Sequence, residues 1–330
     1  MYTKINTDTV ISLGDNAPNA KLLWGHSFDV LQDLHIQKTQ VQSIITELPS
    51  YGIGDSMDVE WPQCTYKVFD NVTHTIPKQQ TTLGLEDTVE DYIGHIVQLL
   101  DSAREVLKTN GTLWLACRDR YGEDKNLGMI PARIALALQA EGWILRNDII
   151  WKWDNPNPES TKDRLTRTYG HIFMFAHPDS KGEYLYNQDS IREEHTSSLS
   201  DSYVSYTEVA DGFSKRPDAH QAYHPLGRNK RDVWEVNLGA YMGKSNSPWP
   251  YELVVPMVLA SSNEGDTVLD LLSGTAQTGK ACLDNNRNYI GIDSNTQVRS
   301  EALARLQGIK QSRKAKQQWD SNPVVEMFGV

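Results

Sequence analysis

Cysteine is scarce in this chain of 330 residues: Cys64, Cys117 and Cys282 stand far apart, odd in number and without a CxxC pair. That excludes a disulfide framework and offers no zinc site, so no metal is expected. His220 and His224 lie in a proline-containing stretch with no third ligand and read as surface histidines. No apolar run has membrane-spanning length, and the opening MYTKINTDTV carries neither a basic leader nor a signal-type apolar core. The expected location is cytoplasmic, with no membrane partner. Positive charge is also in deficit. With 32 Lys and Arg against 43 Asp and Glu, the formal net charge is -11, which opposes non-specific attraction to nucleic acid. Any DNA surface must therefore be local, and two runs qualify: GRNKR at Gly227–Arg231 and KQSRKAK at Lys310–Lys316.

What the chain does have is a pattern of apolar runs alternating with helix-like segments. Strands are expected at KLLWG near Leu22, Ser43–Thr46, Thr112–Ala116, Ile144–Trp151 and His171–Ala176. Helices are expected over Asp91–Leu107, Pro131–Gly142 and SPWPYELVVPMVLASS, with Pro131 in a first turn and Gly111 and Gly142 as stops after helices. This is an α/β layout. From Asp179 to Ser245 the periodicity fades, yet Tyr203, Tyr206, Phe213 and Tyr223 are interleaved there, which favours an ordered insertion over a linker.

The most informative stretch is VLDLLSGTAQTG, Val268–Gly279, followed by NYIGID, Asn288–Asp293. An apolar run ending in an acid, a glycine-containing turn, a short helix and a second apolar run ending in an acid is how a doubly wound sheet holds a nucleoside cofactor.

Together with Ile130–Ser160, Arg228–Trp234 and PYELVVPMVLASS, these segments resemble the amino-group DNA methyltransferases, which transfer a methyl group from S-adenosylmethionine to N4 of cytosine or N6 of adenine. The likeness covers nearly the whole chain and is nearest to prokaryotic and phage-type members whose catalytic half precedes the cofactor half. It implies a doubly wound, mostly parallel Rossmann-like sheet in a single domain with an inserted region. Residues 1–178 would form the catalytic half, 179–245 the recognition-like insertion, and 246–330 the cofactor half and tail. It also implies that the strand ending at Asp270 lies beside the strand ending at Thr46.

The same resemblance exposes departures at the site. The family's amine-binding motif is Asp, Asn or Ser, then Pro-Pro and an aromatic; the short side chain and a proline carbonyl hold the exocyclic amine of a flipped base. Here it reads Glu47, Leu48, Pro49, Ser50, with Tyr51 next; a one-residue slip restores Tyr51 as the ring but puts Leu48 at the acceptor. In the cofactor turn, Leu271, Leu272 and Ala276 replace a proline, an aromatic and a glycine, while Asp270, Ser273, Gly274, Thr278 and Asp293 keep their places. His26 follows Gly25 where the family has Gly-Asp, and Ser245–Pro250 replaces its His-Phe-Ala-x-Phe-Pro entry.

Glu47 is otherwise a capping or surface acid, and Trp151 and Trp153 are core and rim aromatics. Two functions follow. One is a pseudo-methyltransferase with weak or absent S-adenosylmethionine binding. It would act on DNA through Arg228, Lys230 and Arg231, or on a protein such as an active methyltransferase or a defence-system subunit, and dimer formation is compatible with it. The other is an active, divergent methyltransferase.

Overall fold

The computed structural model describes residues 9–12, 18–54, 58–68, 72–156, 158–195, 206–209, 212–215, 224–239 and 249–308. In chain order these form β1 (Thr9–Ser12), β2 (Asn19–Trp24), α1 (Ser27–Ile36), β3 (Val41–Glu47), β4 (Val59–Trp61), β5 (Cys64–Lys67), β6 (Thr73–Ile76) and β7 (Gln79–Thr81). There follow α2 (Val89–Arg104), β8 (Leu107–Cys117), α3 (Ile130–Ala140), β9 (Ile144–Lys152), β10 (Tyr169–Ala176), β11 (Tyr206–Val209), β12 (Gly212–Lys215) and β13 (Val233–Glu235). The last elements are α4 (Tyr251–Ser261), β14 (Thr267–Asp270), α5 (Gln277–Asp284), β15 (Asn288–Asp293) and α6 (Arg299–Leu306). His220, Tyr203, Tyr223, residues 245–248 and the basic run 310–316 lie outside the described residues.

Nine strands make one sheet in the order β1-β2-β15-β14-β3-β8-β10-β9-β13, antiparallel only where β1 meets β2 and where β10 enters between β8 and β9. The expected neighbours are in place: Val268 and Leu269 of β14 pair in parallel with Ser43 and Ile44 of β3. Side chains along a strand alternate between faces, and here both faces are buried. Ile44, Leu113, Leu115, Phe173, Phe175 and Leu269 point into a core shared with α1, α2 and α3. Ile45, Trp114, Ala116, Ile172, Met174 and Val268 point into a second core, shared with α4, α5 and α6. Two-sided burial is why these strands read as unbroken apolar runs.

Helix ends follow their local chemistry. The Thr88 hydroxyl caps α2 by accepting from the Asp91 amide at 3.1 Å, Pro131 sits in the first turn of α3, and Gly142 leaves α3 with φ +97°. Gly111 is a correction. It lies inside β8, where the register against β3 jumps from Val41–Leu107 to Ser43–Thr112, and a Cβ there would come within 2.8 Å of the Gln42 carbonyl oxygen. The glycine permits a bulge and does not stop a helix. The last strand of the inserted region, β13, joins the sheet edge in parallel with β9. No helix among the described residues is long and apolar enough to cross a membrane.

From β14 the chain winds through α5 to β15 on one side, and from β3 through α2 to β8 on the other, so the crevice opens between the carboxyl ends of β14 and β3. Behind it, buried Arg287 ties α4 to β15: its guanidinium donates to the carbonyls of Ser262 (2.8 Å) and Asn285 and to the Ser262 hydroxyl. Arg287→Ala is expected to lower the free energy of unfolding by about 2–4 kcal/mol by stranding these acceptors. Urea titration checks this, and a loss below about 0.5 kcal/mol contradicts it.

Candidate functional site

On the cofactor side, Asp270 ends β14 fully enclosed. One carboxylate oxygen accepts from the Thr278 hydroxyl at 2.6 Å and the other from the Leu272 amide at 3.2 Å. Burial pushes its pKa up to about 6. The turn that follows is laced to β15: the Ser273 amide donates to the Ile292 carbonyl, the Ser273 and Tyr289 hydroxyls share a bond of 2.8 Å, and Arg305 of α6 donates to the Thr275 carbonyl. Asp293, the acid that would meet ribose hydroxyls, accepts from the Gly274 amide (2.6 Å) on one oxygen and from the Asn295 amide (2.7 Å) on the other.

Ala276 enters α5 at φ 59°, ψ 41°, the left-handed conformation that glycine adopts freely and alanine at a cost of roughly 1–2 kcal/mol. Leu271 is fully buried in the first core, and its carbonyl accepts from the Ser27 hydroxyl. His26 opens α1 with its ring set edge-on to Trp61 at 4.7 Å, and Trp61 stacks on His95 at 4.3 Å. Beyond it, the His95 Nδ1 meets the Glu86 carboxylate at 2.9 Å, both side chains buried. Burial lowers the His26 pKa to about 4, so a neutral imidazole occupies the position of the family's acid.

On the amine side, Glu47 closes β3 and pairs with Arg118 from the end of β8 (Oε1 to Nη2, 2.8 Å). Burial raises the Glu47 pKa and Arg118 opposes the rise. The guanidinium of Arg118 lies over the rings of Trp151 (5.0 Å) and Trp153 (5.6 Å), and its Nε is buried without a partner. Glu47 is thus neither a cap nor a free surface acid. Leu48 continues the strand, its amide donating to the Ala116 carbonyl and its side chain sunk in the first core. The Pro49 carbonyl accepts from the Tyr92 hydroxyl at 2.6 Å. The Ser50 carbonyl accepts from the Ile53 amide, and the Tyr51 ring leans on Tyr92 at 5.6 Å. Arg118 and Tyr92 were not visible as site residues in the sequence. The one signal was an arginine directly after the apolar run Thr112–Cys117.

Arg228, Lys230 and Arg231 gather around Glu193, at 3.1, 3.7 and 3.2 Å, beside the edge strand β13 and against α4. Glu194, Asp232, Glu235 and Glu252 line the same hollow, so five acids face three cations there. This placement suits an internal clamp better than the phosphate contact expected from the run. His224 is buried, not a surface residue, and its Nδ1 accepts from the Leu226 amide. No group of three metal-ligating side chains occurs among the described residues.

Comparison with known proteins bears on this geometry. A family model described as DNA methylase, of the N6/N4 type, matches residues 41–303. The type II methyltransferase M.Cfr9I of Citrobacter freundii is 30% identical over 317 residues, 88% of each chain. M.SmaI of Serratia marcescens is 32% identical over 253 residues, 68% of this chain and 77% of that one. Among solved structures, the cytosine-N4-specific PvuII DNA methyltransferase superposes with a TM-score of 0.60 at 12% identity over 92% of both chains. The complex of M1.HpyAVI with S-adenosylmethionine gives 0.52 at 17% identity over 87% of this chain and 98% of the other. At such identities the superpositions establish the fold.

Two measurements probe the site. Because the Asp270 pKa is raised in the folded state, its contribution is fully present below the unfolded value of 3.8 and is lost as pH climbs through about 6. The stability of the wild type relative to Asp270→Asn should therefore fall by up to about 3 kcal/mol between pH 4 and pH 7, and a flat difference contradicts the assignment. Glu47→Ala should destabilise by about 1 kcal/mol, since the Arg118 cation it strands is partly open to solvent, and Arg118→Met added to it should recover at least half of that loss in a double-mutant cycle.

Proposed function

Given that the chain belongs to the N6/N4 amino-group DNA methylase family, we propose that it is a DNA-binding member in which methyl transfer is lost or strongly reduced. The observation that carries this reading is the Glu47–Arg118 ion pair at the end of β3. The lone pair of an exocyclic amine is delocalised into its ring, and acceptors that hold the amine hydrogens favour the tetrahedral nitrogen that attacks. A carboxylate committed to a guanidinium is a poor acceptor for that purpose, and the Pro49 carbonyl already receives the Tyr92 hydroxyl. Both halves of the amine clamp thus already accept from a side chain, which weakens each as an acceptor for the amine.

The cofactor turn points the same way. Ala276 carries a Cβ in a left-handed conformation, each oxygen of Asp293 is held by a backbone amide, and a neutral His26 stands in place of the family's acid. These residues fit S-adenosylmethionine poorly, and we expect weak or absent binding. The retained positions of Asp270 and Asp293 at the ends of β14 and β15 favour the second reading, a divergent active enzyme. The division into a catalytic half (1–178), an inserted region (179–245) and a cofactor half (246–330) belongs to the same proposal.

Calorimetric titration with S-adenosylmethionine and transfer of labelled methyl groups to mixed-sequence DNA test it. The unmodified protein should bind more weakly than micromolar, and Leu271→Pro, Leu272→Phe and Ala276→Gly together should tighten binding by at least about tenfold. Methyl transfer should stay absent until Glu47→Ser, Leu48→Pro, Ser50→Tyr and Arg118→Ala are added. Micromolar binding with methyl incorporation by the unmodified protein overturns the reading in favour of the divergent enzyme. Absence of DNA binding would favour a protein partner such as an active methyltransferase.

A further inference from the structure

Resting on the DNA-binding reading above, the geometry points to a specific contact surface: we propose that Leu165 is an apolar wedge that enters the base stack of duplex DNA, with Lys162 and Arg167 on the flanking phosphates.

The argument starts from topology. β8 ends at Cys117 and β9 at Lys152, and antiparallel β10 begins at Tyr169 opposite Lys152, so residues 118–129, 153–156 and 158–168 emerge at the carboxyl edge of the sheet, beside the end of β3. That edge is where a doubly wound sheet meets its ligands. The base of the second segment is fixed: the Asn155 side chain exchanges hydrogen bonds with the Leu238 backbone at 2.8 and 2.9 Å, and the Asp154 amide donates to Asn237.

Higher up, the two segments grip each other. The guanidinium of Arg164 lies 4.1 Å and that of Arg167 5.5 Å from the Tyr121 ring, and Lys125 pairs with Asp163 at 2.7 Å. Arg120 donates to the Tyr51 carbonyl at 2.8 Å, tying this assembly to the former amine-binding loop. On it, Leu165 is 89% exposed, between the two arginines. Arg164 pairs with Glu159 of the same segment, whereas no carboxylate of the described residues forms an ion pair with Arg167 or Lys162; in the run around Glu193 all three cations are paired with that acid.

A bare leucine on a supported loop, with Arg167 pre-ordered on an aromatic ring and Lys162 exposed on the same segment, matches what partial intercalation requires. Apolar side chains inserted between base steps unstack and kink the duplex, while neighbouring cations neutralise the phosphates that the kink brings close.

Short mixed-sequence duplexes carrying donor and acceptor dyes at their ends test this with the full chain. Wild type should raise energy transfer through kinking. Leu165→Ser should abolish that rise while keeping affinity within about tenfold, and Leu165→Phe should retain it. Lys162→Gln with Arg167→Gln should reduce the slope of log affinity against log salt by about 1.8, the value for two phosphates. DNA binding with undiminished kinking by Leu165→Ser overturns the wedge and leaves the DNA-binding reading standing. Failure of the wild type to bind any duplex removes that reading and the wedge with it.

Discussion

A carboxylate at the end of a central strand has to be neutralised by something, and the Glu47–Arg118 pair is how this chain does it. β3 is buried on both faces, with β14 on one side and β8 on the other, and its last side chain keeps only a partial opening to solvent. Removing one partner of such a pair leaves an uncompensated charge and is far costlier than never having had the pair. Arg118 in turn needs a flat surface for its guanidinium, which Trp151 and Trp153 provide from β9 and the residue just past it. The replacement of a short acceptor by glutamate is therefore one member of a coupled set. The residues at 47, 118, 151 and 153 pack against one another, with the Arg118 Nε left without a partner among the described residues.

The frame around this site is independent of it. Two cores, one on each face of the sheet, are filled for the most part by residues away from the crevice, with Leu48, Tyr92 and Leu271 in one and Trp151, Trp153 and Ala276 in the other reaching it. Buried apolar area at roughly 25 cal/mol per Å² dominates the favourable side of folding, and it depends on the alternation along β3, β8, β10 and β14, not on the turn after β14. The fold can therefore carry a strained Ala276 and an ion-paired Glu47 without losing its architecture, and fold alone says little about chemistry.

Much of the architecture was legible in the sequence because periodicity reports burial. The apolar runs, Pro131, Gly142 and the adjacency of the strands ending at Asp270 and Thr46 all follow from which residues must leave water and where half-sites must meet. Gly111 was misread because a glycine after a helix resembles a stop, whereas its reason is a carbonyl on the neighbouring strand. The short strands β4 to β7 were missed because their pairings are local and only one residue in each of β4, β5 and β6, and none in β7, is buried. Polar partners were the least legible. Nothing in the run Arg228–Arg231 announces Glu193, which lies more than thirty residues earlier and draws all three cations, and nothing beside Glu47 announces Arg118. Such convergence is set by the three-dimensional path of the chain, whereas a local motif records only one of its ends.

The central claim is that the commitment of Glu47 to Arg118 and of the Pro49 carbonyl to Tyr92 leaves no productive amine site. The most direct test is nucleoside mass spectrometry of DNA from a methylation-free host expressing the full chain. The account predicts neither N4-methylcytosine nor N6-methyladenine above the level of an empty-vector control. Either modified nucleoside, rising with expression and lost in Pro49→Ala, would contradict it.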